Sequence, residues 1–247
     1  GTLDDLHVGV LTTDSATLVA RGKEAPTDCQ PPVGANWVHY DFFHDHPESD
    51  NLPPGQSLDR TLGCMAAVGS DGRASLQPLE SAYQALHGVL NPGFLRRDAL
   101  LVLVFITAGD DASPSPVKLY ADWLTLPRIQ GGLKDSPLDV VAVAVRGPAK
   151  RPAPASPSCE VGAFSAVPAP RLDAAPESAR QHEEVSICEP DWTSVLDIGA
   201  KLIVGNISFG CIRWRFADPA HPVCRAVDLT RNDDGSETRT VLPYCGD

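Results

Sequence analysis

The chain has 247 residues with 32 acidic and 20 basic side chains, a formal charge of −12. That balance excludes a nucleic-acid partner, because binding phosphate needs a basic face. The length suffices for one large domain with a buried core, and the central apolar run, residues 100–106, is too short to serve as a transmembrane segment.

Residues 6–12 read as a first strand, with Val8, Val10 and Leu11 apolar and Thr12, Thr13 and Asp14 closing it. Turn formers and Cys29 occupy 22–34. Val38, Tyr40 and Phe42 alternate along 37–43 in the manner of a short edge strand, and 44–55 form a polar loop dense in Asp, His and Pro. Leu58, Leu62 and Met65 predict a short helix over 57–68. The clearest helix covers 75–90. Leu76, Leu79, Tyr83, Leu86 and Leu90 recur at helical spacing, Pro78 suits the first turn, and Asn91-Pro92-Gly93 ends it. The run at 100–106 is rich in branched side chains and suits a strand buried on both faces of a parallel sheet. A helix over 116–126 and a buried strand over 138–145 follow. Residues 147–190 read as a long Pro- and Ala-rich loop region. A helix is expected over 192–203, then short strands over 211–216, 223–229 and 238–242. An Asn-Asp-Asp-Gly turn at 232–235 joins the last two.

This alternation predicts an α/β domain over 1–207, doubly wound and mostly parallel with helices on both faces, and a β-rich, cysteine-containing extension over 208–247. The strands at Leu6, Leu100 and Leu138 are expected side by side and parallel, with ligand-binding loops at their C-terminal ends. Seven cysteines without a Cys-x-x-Cys pair argue for disulfides in an oxidising, extracytoplasmic compartment. The chain opens on Gly1, which we read as the start of a processed or trimmed piece.

Several stretches, taken in order, resemble one family. They are Asp5-Leu6-His7-Val8-Gly9-Val10-Leu11-Thr12-Thr13-Asp14, then Gln77-Pro78-Leu79-Glu80, the run 91–101, the loop 107–113, Pro170-Arg171-Leu172 and Ser186-Ile187-Cys188. Together, over about residues 6–203, they are similar to a von Willebrand factor A-like domain of the secreted or envelope type common in myxobacteria and related bacteria. The resemblance implies a Rossmann-like sheet. It also implies, as in many A-domains, a divalent cation, magnesium or calcium. Its oxygen ligands would come from an Asp-x-Ser-x-Ser after the first strand, a Thr of a second loop and an Asp after the fourth strand. This sequence begins at the second strand, Ala108 stands at the fourth-strand Asp, and Leu76 stands where a Glu belongs in the second loop. Thr107, Asp110 and Asp111 are what remains, so the implied cation site is degenerate. The absent first strand would lie between the strands at Leu6 and Leu100. The resemblance further implies a bridge between two loops whose cysteines are replaced here by Arg73 and Ala112. For the cysteines present we expect the pairs Cys29–Cys64, Cys159–Cys188 and Cys211–Cys224, with Cys245 left over.

Other candidates compete with simpler roles. His39, Asp41, His44, Asp45, His46, Glu48 and Asp50 are zinc-ligand types crowded in one stretch, which also reads as a solvated loop. Trp37, Tyr40, Phe42 and Phe43 would form a protein-contact patch if exposed. Asn206-Ile207-Ser208 is a formal glycosylation sequon. No Gly-x-Ser-x-Gly elbow or phosphate-binding glycine loop occurs, and Ser113 beside Asp111 has no evident histidine partner. We therefore expect neither an enzyme nor an organic cofactor. The expected function is an extracytoplasmic binding or adhesion module engaging a protein or cell-surface component. Its ligand face would be Thr13, Asp14, Arg73, Ser75, Asp110, Asp111 and Ser113. The alternatives are a structural scaffold of an envelope assembly and a metal-dependent hydrolase using Asp110, Asp111 and the loop 44–46. On the first reading, replacing both Asp110 and Asp111 by Ala weakens partner capture with little change in melting temperature.

Overall fold

The apolar runs at 100–106 and 138–145 both fold as strands, but only the second is buried on both faces. Val104 and Ile106 of the first are 51% and 54% exposed, because that strand has a hydrogen-bonded neighbour on one side only among the described residues. In the computed structural model, the described residues are 5–41, 50–69, 75–87, 89–96, 99–136, 139–147, 159–161, 164–188, 227–231 and 237–241. The first elements are β1 (Asp5–Val8), β2 (Val38–Asp41), α1 (Leu58–Ala66), α2 (Pro78–His87) and β3 (Leu101–Ile106). Then come α3 (Val117–Thr125), β4 (Val140–Arg146), β5 (Cys159–Val161), β6 (Phe164–Ala166), α4 (Pro170–Ala174), β7 (Gln181–Ser186), β8 (Val227–Arg231) and β9 (Glu237–Val241). Leu3–Ala200 form one unit, and Gly1–Thr2 with Lys201–Asp247 a second.

The first unit is built on a parallel sheet of order β3-β4-β7. Leu101 faces Val140 in the register, and Val141 faces Gln181. Strand β4 is buried along its whole length, as the central strand of such a sheet must be. One core joins the sheet to three helices: Phe105 and Val140 meet Leu79 and Ala82 of α2, Tyr120, Trp123 and Leu124 of α3, and Leu172 of α4. The helices contributing to that core share one face of the sheet, and the described residues give a mixed α/β fold with a parallel sheet. Val141, Val143 and Val145, on the other face, are equally buried.

Strand β1 departs from the expected arrangement. It pairs antiparallel with β2, Leu6 opposite Tyr40 and Val8 opposite Val38, in a sheet of its own. The strand at Leu6 is therefore not a parallel neighbour of those at Leu100 and Leu138. Its apolar content suits either partner, and pairing to a distant segment decides between them. The region 147–190 also differs from a plain loop. It contains β5 and β6, paired antiparallel, then α4 and β7. Strand β7 has Val185 as its one buried residue and lies at the sheet edge, where little apolar signal is needed.

Helix α2 is shorter than the predicted 75–90 and begins at Pro78, whose missing N–H costs nothing there. Cys29 is bonded to Cys64 and Cys159 to Cys188. The pair Cys211–Cys224, Cys245, the expected helix over 192–203 and the sequon at Asn206 lie outside the described residues. In the second unit β8 and β9 pair antiparallel, Val227 opposite Val241, as the turn signal at 232–235 predicts.

Candidate functional site

The expected ligand face can be followed loop by loop. Past the end of β3, the Thr107 amide donates to Val145 O at 3.0 Å and continues the ladder. The Thr107 hydroxyl turns back on its own loop, accepting from the Gly109 amide at 3.1 Å and donating to Gly109 O at 3.0 Å. The Ala112 amide donates to Leu76 O at 2.7 Å, and the Gln77 amide to Thr13 O at 3.1 Å. The loops after β1 and β3 thus meet at the start of α2. Thr13, Asp14, Ser75, Asp110, Asp111 and Ser113 gather there, while Arg73 lies outside the described residues.

The two carboxylates are occupied within the fold. Asp110 Oδ1 accepts from the Arg171 and Leu172 amides, each at 3.0 Å, and from the Asp111 amide at 2.8 Å. It therefore satisfies the orphan donors at the start of α4 from another loop. Asp111 is 4% exposed. Its Oδ1 accepts from the Leu79 amide in the first turn of α2 and from the Ser113 hydroxyl at 2.6 Å. Its Oδ2 accepts from the Ser113 amide at 3.1 Å and from Arg171 Nε at 2.7 Å. Ser113 Oγ accepts from the Glu80 amide at 2.9 Å. Arg171 also donates to Ser113 O at 2.7 Å and to Ser115 O. Asp111 thus has its opposite charge in Arg171, and the Ser113 hydroxyl is held between Asp111 and an amide. That is the chemistry of a rigid corner. A cation ligand or a nucleophile would need free lone pairs or a base.

A second ionic group stands beside it. Buried Arg146, the last residue of β4, bonds Asp173 and Glu184 and donates to Gly147 O at 3.1 Å. Burial pushes the Asp173 carboxyl above the usual carboxylate range, with the Arg146 hydrogen bond opposing it. Burial, with a hydrogen bond to Glu80 at 2.5 Å, raises the Tyr120 hydroxyl. Sequence reasoning singled out the aspartates but missed both arginines. Arg171 did stand inside the quoted Pro170-Arg171-Leu172 stretch, next to the proline that starts α4.

The polar stretch at 39–50 is divided. His39 Nε2 lies 2.7 Å from Asp5 Oδ1 on the neighbouring strand, while Asp50 accepts from the Asp41 amide at 2.7 Å. His44, Asp45, His46, Glu48 and the aromatics Phe42 and Phe43 lie outside the described residues. Trp37 is not an open patch: its ring lies 4.2 Å from that of His7 and 6.0 Å from that of Phe94. A cleft of about 260 Å³ lies between the end of α2 and the turn at Arg128. Val89 and Ile129, at 90% and 93% exposure, adjoin its lining residues. Among the described residues no helix is long and apolar enough to cross a membrane.

No family model matches the chain, and no solved structure matches it. A segment of 109 residues, 44% of the chain, is 27% identical to the catalytic subunit of aspartate carbamoyltransferase from Corynebacterium efficiens. That segment corresponds to 33% of the enzyme, so the chain spans about a third of the length of the curated relative it matches.

Proposed function

We propose that this chain is an extracytoplasmic binding module of the von Willebrand factor A-like type. Its cation site is degenerate, and it engages a protein or cell-surface component through the loops at the start of α2. The observation that carries this is Arg171, whose guanidinium supplies the charge opposite Asp111 at 2.7 Å. A loop face braced in this way is pre-organised, and a rigid face loses less entropy on binding. The two disulfides support an oxidising compartment. Contact then falls to the exposed residues on that face, Asp14, Ser75 and Ala112.

The test is capture of envelope components by immobilised full-length chain. Asp14→Lys combined with Ala112→Arg is expected to abolish capture with an unchanged melting temperature. Undiminished capture overturns the assignment of the face. A second reading, a structural scaffold in an envelope assembly, draws on exposed Val89 and Ile129. It predicts that Val89→Lys with Ile129→Lys removes association while the loop variant is silent. Formation of carbamoyl aspartate by the chain, the activity named for the partial relative, would overturn both readings.

A further inference from the structure

The β1–β2 ribbon carries a group of side chains that the loop face does not use. In antiparallel strands alternate residues share a face, and a residue faces its cross-strand partner. Asp5 and His7 are two apart on β1, and His7 stands opposite His39. Their ligand atoms all lie within 4.8 Å of one another. Asp5 Oδ1 is 2.7 Å from His39 Nε2 and 3.8 Å from His7 Nε2.

The surroundings orient the group. His7 Nδ1 lies 2.8 Å from Phe94 O, which can only accept. The neutral ring therefore carries its proton on Nδ1 and turns the Nε2 lone pair toward Asp5. The His7 side chain is 11% exposed and packed against Trp37, so its ring is fixed. The other carboxylate oxygen of Asp5, Oδ2, is bonded by Arg96, which also holds Asp5 O at 2.8 Å. Each of these is an outer contact of the kind that orients ligands in metal centres.

We infer that Asp5, His7 and His39 form a binding site for a zinc-class divalent transition-metal ion, through one carboxylate oxygen and two imidazole nitrogens. Ligands about 2.0–2.1 Å from a tetrahedral zinc are separated by roughly 3.3 Å, and the observed 2.7 and 3.8 Å bracket that spacing. Ligation by His39 Nε2 would take the place of its contact with Asp5 Oδ1. Imidazole ligands favour zinc, cobalt, nickel or copper over magnesium and calcium, which prefer all-oxygen sites. Three protein ligands leave the fourth position open to solvent or substrate. The site is separate from the loop face and does not rest on the binding-module reading.

The test uses tag-free full-length chain stripped of metal and titrated with zinc chloride or cobalt chloride. One equivalent of zinc is expected, raising the melting temperature, and cobalt is expected to develop the visible absorption of a four-coordinate ion. Calcium should do neither. Asp5→Asn keeps the shape of an exposed residue, and His39→Gln keeps a polar side chain on the ribbon. Each should weaken zinc by roughly 100-fold or more with circular dichroism unchanged. Absence of saturable binding, or equal affinity in wild type and both variants, overturns the site. The second outcome would place the ion on other groups.

Discussion

The loop end of the parallel sheet and the β1–β2 ribbon both gather acidic and basic side chains, yet they use them in opposite ways. At the sheet end every group has a partner inside the fold: Asp110 and Asp111 hold the starts of α4 and α2, Arg171 answers Asp111, and Arg146 answers Asp173 and Glu184. A continuous apolar core supports that network. The ribbon has four residues per strand. The small cluster of Ala25, Cys29 and Cys64, nearby in sequence, is joined by a disulfide. A two-stranded ribbon is marginal alone, so side-chain links matter more there. Buried, mutually satisfied charges act as structure. Side chains of metal-ligand type converging on one point offer a place for an ion.

Replacing Asp111 by Ala is the sharpest way to break this comparison. It strands the Leu79 and Ser113 amides and the Arg171 guanidinium together. The expected loss is about 3–5 kcal/mol, read by urea unfolding. The geometry therefore reverses the expectation that removing the two aspartates leaves the melting temperature nearly unchanged. A loss under 1 kcal/mol (roughly the worth of one ordinary hydrogen bond) would show that the network is not structural.

The segment that carries β2 responds differently to loss of the Cys29–Cys64 disulfide, which closes residues 29–64 into a loop. Replacing Cys29 and Cys64 together by Ser should cost about 2–4 kcal/mol. Hydrogen exchange should rise in residues 20–69 while β3 and β4 keep their protection. Uniform loss across β3 and β4 would mean that the two regions unfold as one. Asn91 tests the seam between them. Its side chain accepts from the Leu18 amide at 2.9 Å and donates to Ala16 O and Ala85 O, each at 3.0 Å. Asn91→Ala leaves three backbone groups without that partner and should cost about 1–3 kcal/mol, with exchange rising at both 16–18 and the end of α2.

The same contrast explains what could be read from residues alone. Strand β4 and helices α2 and α3 announce themselves, because burial writes apolar runs and helical spacing into the chain. Strand β3 was legible as a strand, but its apolar run overstated its burial, since Val104 and Ile106 are 51% and 54% exposed. Strand β7 does not: Gln181-His182-Glu183-Glu184-Val185-Ser186 is held by ladder bonds to β4 at an edge, and backbone bonds leave no trace in side-chain type. Strand β1 was legible as a strand but not as a partner of β2, since the choice of neighbour is a long-range matter. Asp110 and Asp111 stood out as a polar pair, whereas Arg171, 60 residues beyond Asp111, decides what that pair does. The metal-ligand types were also visible in His39, but two of the three converging side chains, Asp5 and His7, come from a strand more than thirty residues earlier.

The smallest effect is expected at Asp14, and its smallness carries information. Asp14 is exposed, and its carboxylate accepts from the Thr12 hydroxyl at 2.7 Å within one turn. Asp14→Ala should change stability by no more than about 0.5 kcal/mol, in the same unfolding assay that registers Asp111. The two residues come from loops of one face and carry the same charge, so the difference between the variants isolates burial and partner count from charge itself. If Asp14→Ala proved as costly as Asp111→Ala, the loop after β1 would belong to the braced network. The exposed part of the face available to a partner would then shrink to Ser75 and Ala112.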